Sequence, residues 1–230
     1  MAHCAHIPAF VLHQVTCQFA TGQTLFGPLS VSLEPSLCGL VGRNGVGKTR
    51  LLRLLAGLDS PAGGHIERAA AVAGVAQQPT LTPETTLATL LGYASVFAAL
   101  SRLEQGQGLA DDFDLLDGHW DLTDRLSLAF READLPPFSA DRPAFSLSGG
   151  ERMKPLLCGA FVSGADYLLL DEPTNYLDRQ GREWLYHQLE SWQGGALIAS
   201  HDRELLTRMP RIIELTPTAL RSYGGNYDEY

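Results

Sequence analysis

The stretch Leu37-Cys-Gly-Leu-Val-Gly-Arg-Asn-Gly-Val-Gly-Lys-Thr49 decides the fold. Leu37–Val41 is a compact apolar run, too short for a helix, and reads as a buried strand. Gly42-Arg43-Asn44-Gly45-Val46-Gly47-Lys48-Thr49 then fits the G-x-x-x-x-G-K-[ST] phosphate loop in full. Leu51, Leu54, Leu55 and Leu58 follow at helical spacing and are expected to share one buried face. Strand, glycine-rich loop and helix in that order predict an α/β nucleotide-binding core. In such a loop, backbone amides cradle the β-phosphate along a tight path that Gly42, Gly45 and Gly47 permit. Lys48 reaches the β- and γ-phosphates, and the Thr49 hydroxyl holds Mg²⁺.

A magnesium site of this kind needs a carboxylate from the end of a neighbouring strand. Tyr167–Leu170 reads as that strand and ends on Asp171 and Glu172. The adjacent carboxylates invite a division of labour, Asp171 toward Mg²⁺ and Glu172 as general base on the attacking water. A third apolar run, Ala196–Ser200, delivers His201, which could contact the γ-phosphate and orient that water. Upstream, Gln77 and Gln78 stand before Pro79 at the end of the apolar run Ala69–Ala76, and an amide there could touch Mg²⁺ or the water.

Leu147-Ser-Gly-Gly-Glu151 adds a second phosphate-facing element. Ser148 and Glu151 form a capping-box pattern, so a helix is expected to begin here. Gly149 and Gly150 in its first turn cost up to ~1 kcal/mol each relative to alanine, which a purely structural helix start does not require. Glycine lets a ligand approach the backbone, and a helix N-terminus offers free amides to an anion. Pro155 falls inside the same helix, removes a backbone hydrogen bond, and is expected to kink it or cost ~3 kcal/mol.

Composition sets the outer limits. A chain of 230 residues, 45% hydrophobic and 19% charged, is an ordinary globular protein of one domain or one domain with a small lobe. A net charge of −9 argues against nucleic-acid binding by charge alone. No apolar stretch approaches the ~18 residues of a membrane span, and the N-terminus lacks signal-peptide character. Cys4, Cys17, Cys38 and Cys158 are irregularly spaced, which fits reduced thiols and a cytoplasmic location. His3, Cys4 and His6 could ligate a metal, but read better as a disordered terminus.

Phosphate loop, loop glutamine, Leu-Ser-Gly-Gly-Glu, strand-Asp-Glu, Asp178 and His201 occur in an order that resembles the ATP-binding cassette (ABC) ATPase superfamily across nearly the whole chain. The resemblance implies a P-loop NTPase of the ABC type. Its expected parts are an N-terminal antiparallel β lobe and an α-helical lobe, residues 80–146, between the glutamine and the signature motif, within one domain spanning 1–230. It implies ATP and Mg²⁺ as ligands, with contacts running along the loop from Gly42 through Arg43, Asn44, Gly45, Val46, Gly47, Lys48 and Thr49 to Arg50. Phe19 is the candidate for stacking on adenine. Gln77 is preferred over Gln78, because the family often shows Gln-x-Pro. Ser148, Gly149 and Gly150 would meet the γ-phosphate bound by a partner cassette, and Asp178 would lie where opposed cassettes communicate.

Within that superfamily, Pro173–Asp178, Ser200–Leu206 and Tyr223–Tyr230 resemble the ABC-F class. Its members carry two cassettes in one chain and no transmembrane domain, and many act on ribosomes in translation or antibiotic resistance. The tyrosine-rich segment closes the first cassette in that class, so the chain reads as the first half of such a protein. Its second cassette would come from a homodimer or from the missing half. Tyr176 and Lys154 stand where histidine and arginine are common. Asp111–Asp124 carries six aspartates and no Lys or Arg. It reads as a solvated acidic face rather than the basic arm that ribosome-reaching members insert. An ABC-F type ATPase is therefore the expected function. The alternatives are an ATPase subunit of a transporter docked on a membrane protein, and a non-hydrolysing nucleotide-binding scaffold.

Overall fold

The computed structural model describes residues 7–75 and 81–225. Gln77 and Gln78, the terminal His3, Cys4 and His6, and the end of the tyrosine-rich segment lie outside them. The chain divides into two compact units, one of residues 1–77, 165–175 and 185–230, the other of 78–164 and 176–184.

The first unit begins with β1 (Phe10–Gln18), β2 (Thr24–Leu33), β3 (Leu37–Val41), α1 (Lys48–Leu55), β4 (Gly63–Arg68) and β5 (Val72–Val75). β1 pairs antiparallel with β2 and β4 in a three-stranded sheet of order β2-β1-β4. Phe10, Leu12, Val15 and Cys17 are buried on β1. The alternation slips between Leu12 and Val15, where Gln14 adopts φ 51° and the register shifts against both neighbours, a β-bulge.

β3 occupies Leu37–Val41, the span that its apolar run predicts. Leu51, Leu54 and Leu55 of α1 are buried, as their spacing requires, but Leu58 is exposed. The helix stops before it. Gly57 turns left-handed at φ 73°, and the Leu58 and Gly57 amides bond back to the Arg53 and Leu54 carbonyls at 2.9 and 3.1 Å. This Schellman closure satisfies the last carbonyls and throws Leu58 off the buried face.

The second unit contains α2 (Leu87–Leu90), α3 (Ala94–Glu104), α4 (Ala110–Leu116), α5 (Leu122–Glu132) and α6 (Gly149–Phe161). Leu87, Val96, Leu116, Leu122, Leu126, Phe130 and Cys158 share its core. Pro155 lies inside α6, which continues past it to Phe161. The acidic run is not uniformly solvated. Asp112 is buried, accepts a hydrogen bond from the Leu109 amide at 2.9 Å and pairs with Arg102, which lies outside the run. Those partners hold its carboxyl below the usual carboxylate range.

Then follow β6 (Tyr167–Asp171), α7 (Arg179–Ser191), β7 (Gly195–Ala199), α8 (Arg203–Thr207), β8 (Arg211–Leu215) and β9 (Leu220–Gly224). The strands of the first unit's second sheet run in the order β5-β6-β7-β3-β8-β9, parallel except for β9. β6 and β7 are buried along their whole length, which is why they read as unbroken apolar runs. The two sheets and α1 share a core that includes Phe10, Phe26, Leu40, Leu55, Tyr167 and Leu197. Among the described residues, no helix is long and apolar enough to cross a membrane, and Cys17, Cys38 and Cys158 are buried free thiols.

Candidate active site

The strand order explains why residues far apart in sequence meet. β7 lies between β6 and β3, so the segments leaving the carboxyl ends of these three parallel strands are neighbours. Open α/β sheets bind ligands at such strand ends. The loop after β3 carries Lys48 and Thr49, the end of β6 carries Asp171 and Glu172, and His201 follows β7.

The loop path depends on glycine. Gly45 sits at φ 80° with open space around it, so the left-handed backbone alone selects the residue. Gly47 combines φ 108° with a second constraint, since a Cβ there would stand 2.8 Å from the Phe26 ring. Arg43, Asn44, Gly45 and Val46 border a cavity of about 440 Å³ that Leu25, Glu214 and Pro217 also line.

Lys48 is buried at 9% exposure, and its Nζ donates to the Gly42 carbonyl at 3.0 Å. The ammonium thus curls back over the loop that would hold the phosphates. Thr49 Oγ1 donates to Asp171 Oδ2 at 2.7 Å, and Asp171 is 5% exposed. A hydroxyl and a carboxylate meeting in this way form the hard oxygen donor set that suits Mg²⁺. Arg50 pairs with Asp59 at 3.0 Å. Arg53 binds the same carboxylate, and the two guanidinium groups hold the Asp59 carboxyl down at about 2, with the Arg53 hydrogen bond the largest cause.

Glu172 is held from several sides. Its amide donates to the Ala199 carbonyl at 2.8 Å, and its backbone adopts φ 49°, a left-handed conformation unusual for a non-glycine residue. Such strain persists only where the surroundings enforce it, and it clusters at functional positions. The His201 amide donates to Glu172 Oε2 at 3.2 Å, and His201 Nε2 stands 3.3 Å from Oε1. The same Nε2 is 3.4 Å from Lys48 Nζ. A single ring nitrogen therefore faces both an ammonium and a carboxylate. It accepts from Lys48 when unprotonated and donates to Glu172 when protonated. Burial pushes the Glu172 carboxyl above the ordinary glutamate value and Asp171 adds to the rise. The His201 and Lys48 charges and the His201 amide oppose it.

Ser148 caps α6 as the spacing predicts. Its Oγ accepts from the Glu151 amide at 3.3 Å, and its own amide donates to Glu151 Oε2 at 2.7 Å. Gly149 and Gly150 open the helix. Asp178 precedes α7, and its Oδ1 accepts from the Gly181 amide at 2.8 Å. Phe19 stands 48% exposed in the turn after β1, where its amide donates to the Gln23 carbonyl and the Gly22 amide donates to the Phe19 carbonyl, each at 2.9 Å.

Thus Lys48, Thr49, Asp171, Glu172 and His201 converge within the first unit. Ser148, Gly149, Gly150 and Asp178 belong to the second, and Gln77 falls outside the described residues. Two contributors were not singled out from the sequence. The Ala199 carbonyl fixes the Glu172 backbone, and no side-chain signal could announce it. Asp202 caps α8 through the Glu204 and Leu205 amides at 3.0 and 3.3 Å. An aspartate ahead of Arg-Glu-Leu-Leu is a readable helix-start signal.

A family model described as "ABC transporter" matches residues 27–175. The energy-dependent translational throttle protein EttA of Mycobacterium tuberculosis is 34% identical over 247 residues, covering 98% of this chain and 41% of that protein. EttA of Escherichia coli K12 is 32% identical over 245 residues, covering 96% of this chain and 44% of that protein. The chain thus spans only about two-fifths of the length of these relatives, 41% and 44%. A solved structure described as the ATP binding subunit of an ABC transporter superposes with a TM-score of 0.71 at 21% identity. It covers 96% of this chain and 91% of its own, a likeness of fold.

Proposed function

The chain belongs to the ABC transporter, or ATP-binding cassette, family, and from that premise we propose that it binds Mg-ATP and hydrolyses it as an ABC-F type cassette. The observation that carries this reading is the meeting of Lys48, Glu172 and His201 around one imidazole nitrogen, at 3.4 and 3.3 Å. A cation for phosphate oxygens and a partly buried base for water thus stand side by side.

Lys48 exchanges its bond to the Gly42 carbonyl for the β- and γ-phosphate oxygens of ATP. Thr49 and Asp171 would supply oxygen ligands for magnesium, which when bound would neutralise phosphate charge. Gln77 is assigned to the same ion and water by its place in the family pattern. Glu172 accepts the proton of the attacking water, and His201 orients that water toward the γ-phosphate. The loop amides from Gly42 to Thr49, with Arg43, Asn44 and Val46, enclose the phosphates, Arg50 borders them, and Phe19 stacks on adenine. Ser148, Gly149 and Gly150 act on ATP held by an opposed cassette, and Asp178 acts at the join. The whole chain serves as one cassette, with residues 80–146 as its helical lobe.

A role in translation is the reading that the EttA relatives favour, and the resemblance to the ABC-F class adds the cytoplasm as its location and a ribosome as its target. It rests on likeness to proteins more than twice as long as this chain. The second cassette is another copy or a companion half.

Light scattering on the Glu172→Gln variant tests the reading. Removing the base is expected to trap a dimer around Mg-ATP, with hydrolysis at least ~100-fold below wild type. A variant that binds no ATP, or hydrolyses it at the wild-type rate, overturns the assignment.

A further inference from the structure

Away from the nucleotide loop, three metal-ligating side chains share one face of the three-stranded sheet. His13 of β1 and His65 of β4 are directly opposed in the antiparallel register. Their rings stack at 4.4 Å between centroids with an interplanar angle of 13°. Glu67 lies two residues along β4 from His65 and therefore on the same face. Its Oε1 is 3.1 Å from His13 Nε2 and 3.7 Å from His65 Nε2. One donor atom from each residue falls within 4.8 Å of the other two.

These spacings suit a small dication. Tetrahedral nitrogen and oxygen ligands at ~2.0–2.1 Å from zinc lie roughly 3.4 Å from one another, close to the 3.1 and 3.7 Å that separate Glu67 Oε1 from the two imidazole nitrogens. The His13 Nε2 atom is shielded from solvent, and Glu67 Oε1 faces it at 3.1 Å.

The backbone is shaped around the pair. The β1 bulge places Gln14 at φ 51° beside His13, where Ser30 Oγ accepts from its amide at 3.0 Å and from its side-chain amide at 2.8 Å. On β4, Gly64 sits at φ 77° before His65, and a side chain there would overlap the His13 and Gln14 carbonyls. Bulges of this kind re-aim side chains. Here they accompany two histidines that face each other across strands.

We propose that His13, His65 and Glu67 form a binding site for a first-row divalent transition metal of the zinc class, with water completing its shell. Two imidazoles and a carboxylate favour such ions over magnesium, which prefers oxygen ligands. β4 is an edge strand of its sheet. The bound ion therefore clamps that edge to β1, independently of nucleotide.

The test is calorimetric titration of the nucleotide-free chain with zinc chloride. It uses a background in which His3, Cys4 and His6 are alanine, because those residues could ligate zinc on their own. One equivalent of zinc is expected to bind, with affinity about 10-fold or more weaker in His65→Ala and in Glu67→Gln. The His65 and Glu67 side chains are 67% and 63% exposed, so both variants are expected to fold, which circular dichroism verifies. ATP affinity measured with magnesium is expected to stay at the background value. Absence of a zinc isotherm, or an isotherm indifferent to both substitutions, overturns the proposal.

Discussion

Thr49 Oγ1 donates a 2.7 Å hydrogen bond to Asp171 Oδ2 across 122 positions of sequence. It joins the end of the phosphate loop to the end of β6, and with Asp171 only 5% exposed the carboxylate depends on it. Thr49→Val keeps the shape and deletes the donor. We expect a stability loss of ~1–3 kcal/mol, the usual cost of stranding a buried acceptor. Magnesium-dependent strengthening of ATP binding is expected to disappear as well. Urea melts and calorimetry with and without Mg²⁺ measure the two effects separately, and a variant with wild-type stability and magnesium response contradicts both.

Lys48 is the cation that the loop folds around, bonded to the Gly42 carbonyl at 3.0 Å. Lys48→Ala is expected to weaken ATP binding by about 30-fold or more, corresponding to ~2 kcal/mol or more for removing a desolvated charge partner. Isothermal titration reads this directly. Unchanged affinity would mean that the phosphates lie elsewhere.

Burial raises the Glu172 carboxyl above the ordinary glutamate value, so its ionised fraction falls at a higher pH than that of an exposed glutamate. Hydrolysis is expected to decline on the acid side as pH drops through that raised value. The His201 charge opposes the rise, so His201→Ala should move the acid limb of the pH–rate profile further up. A limb that stays in place would separate His201 from the base.

The same shift carries a stability consequence. A folded-state pKa above the unfolded one means that the native protein binds the proton more tightly, so this contribution is present at low pH and lost as pH rises through the folded pKa. Glu172→Gln is therefore expected to melt at a higher temperature than wild type near neutral pH. The gap should close on acidification. Calorimetric scans at several pH values decide it.

Pro155 interrupts the hydrogen-bond ladder of α6, yet the helix continues to Phe161. Pro155→Ala restores an amide to the ladder, and a gain of ~1 kcal/mol is expected from removing part of the penalty for an interior proline. Thermal melting tests this. A loss instead would show that the buried pyrrolidine ring contributes more by packing than the missing bond costs.

Much of the fold was legible because its signals are local. The apolar run Leu37–Val41 is β3, with the same bounds in sequence and structure. Ser148 and Glu151 bond each other reciprocally, as a capping box three residues long must. Legibility failed where a local pattern met a competing contact. Leu58 continued the leucine stripe, but Gly57 could turn left-handed and closed the helix first. Asp112 looked like one acid among six, but Arg102 reaches it from outside the run, and that ion pair lets a carboxylate be buried.

By itself, the sequence determined which residues are proposed for the phosphate chemistry and on which local element each sits. Backbone sterics, capping and the period of apolar residues act over a few positions and leave their mark in order. Only the tertiary structure decided that β7 inserts between β3 and β6, bringing His201 to 3.3 Å from Glu172 and 3.4 Å from Lys48. It alone opposed His13 to His65 across the β1–β4 pair. Strand neighbours are chosen by hydrogen bonding and core burial between segments distant in the chain, and no spacing along the sequence records that choice.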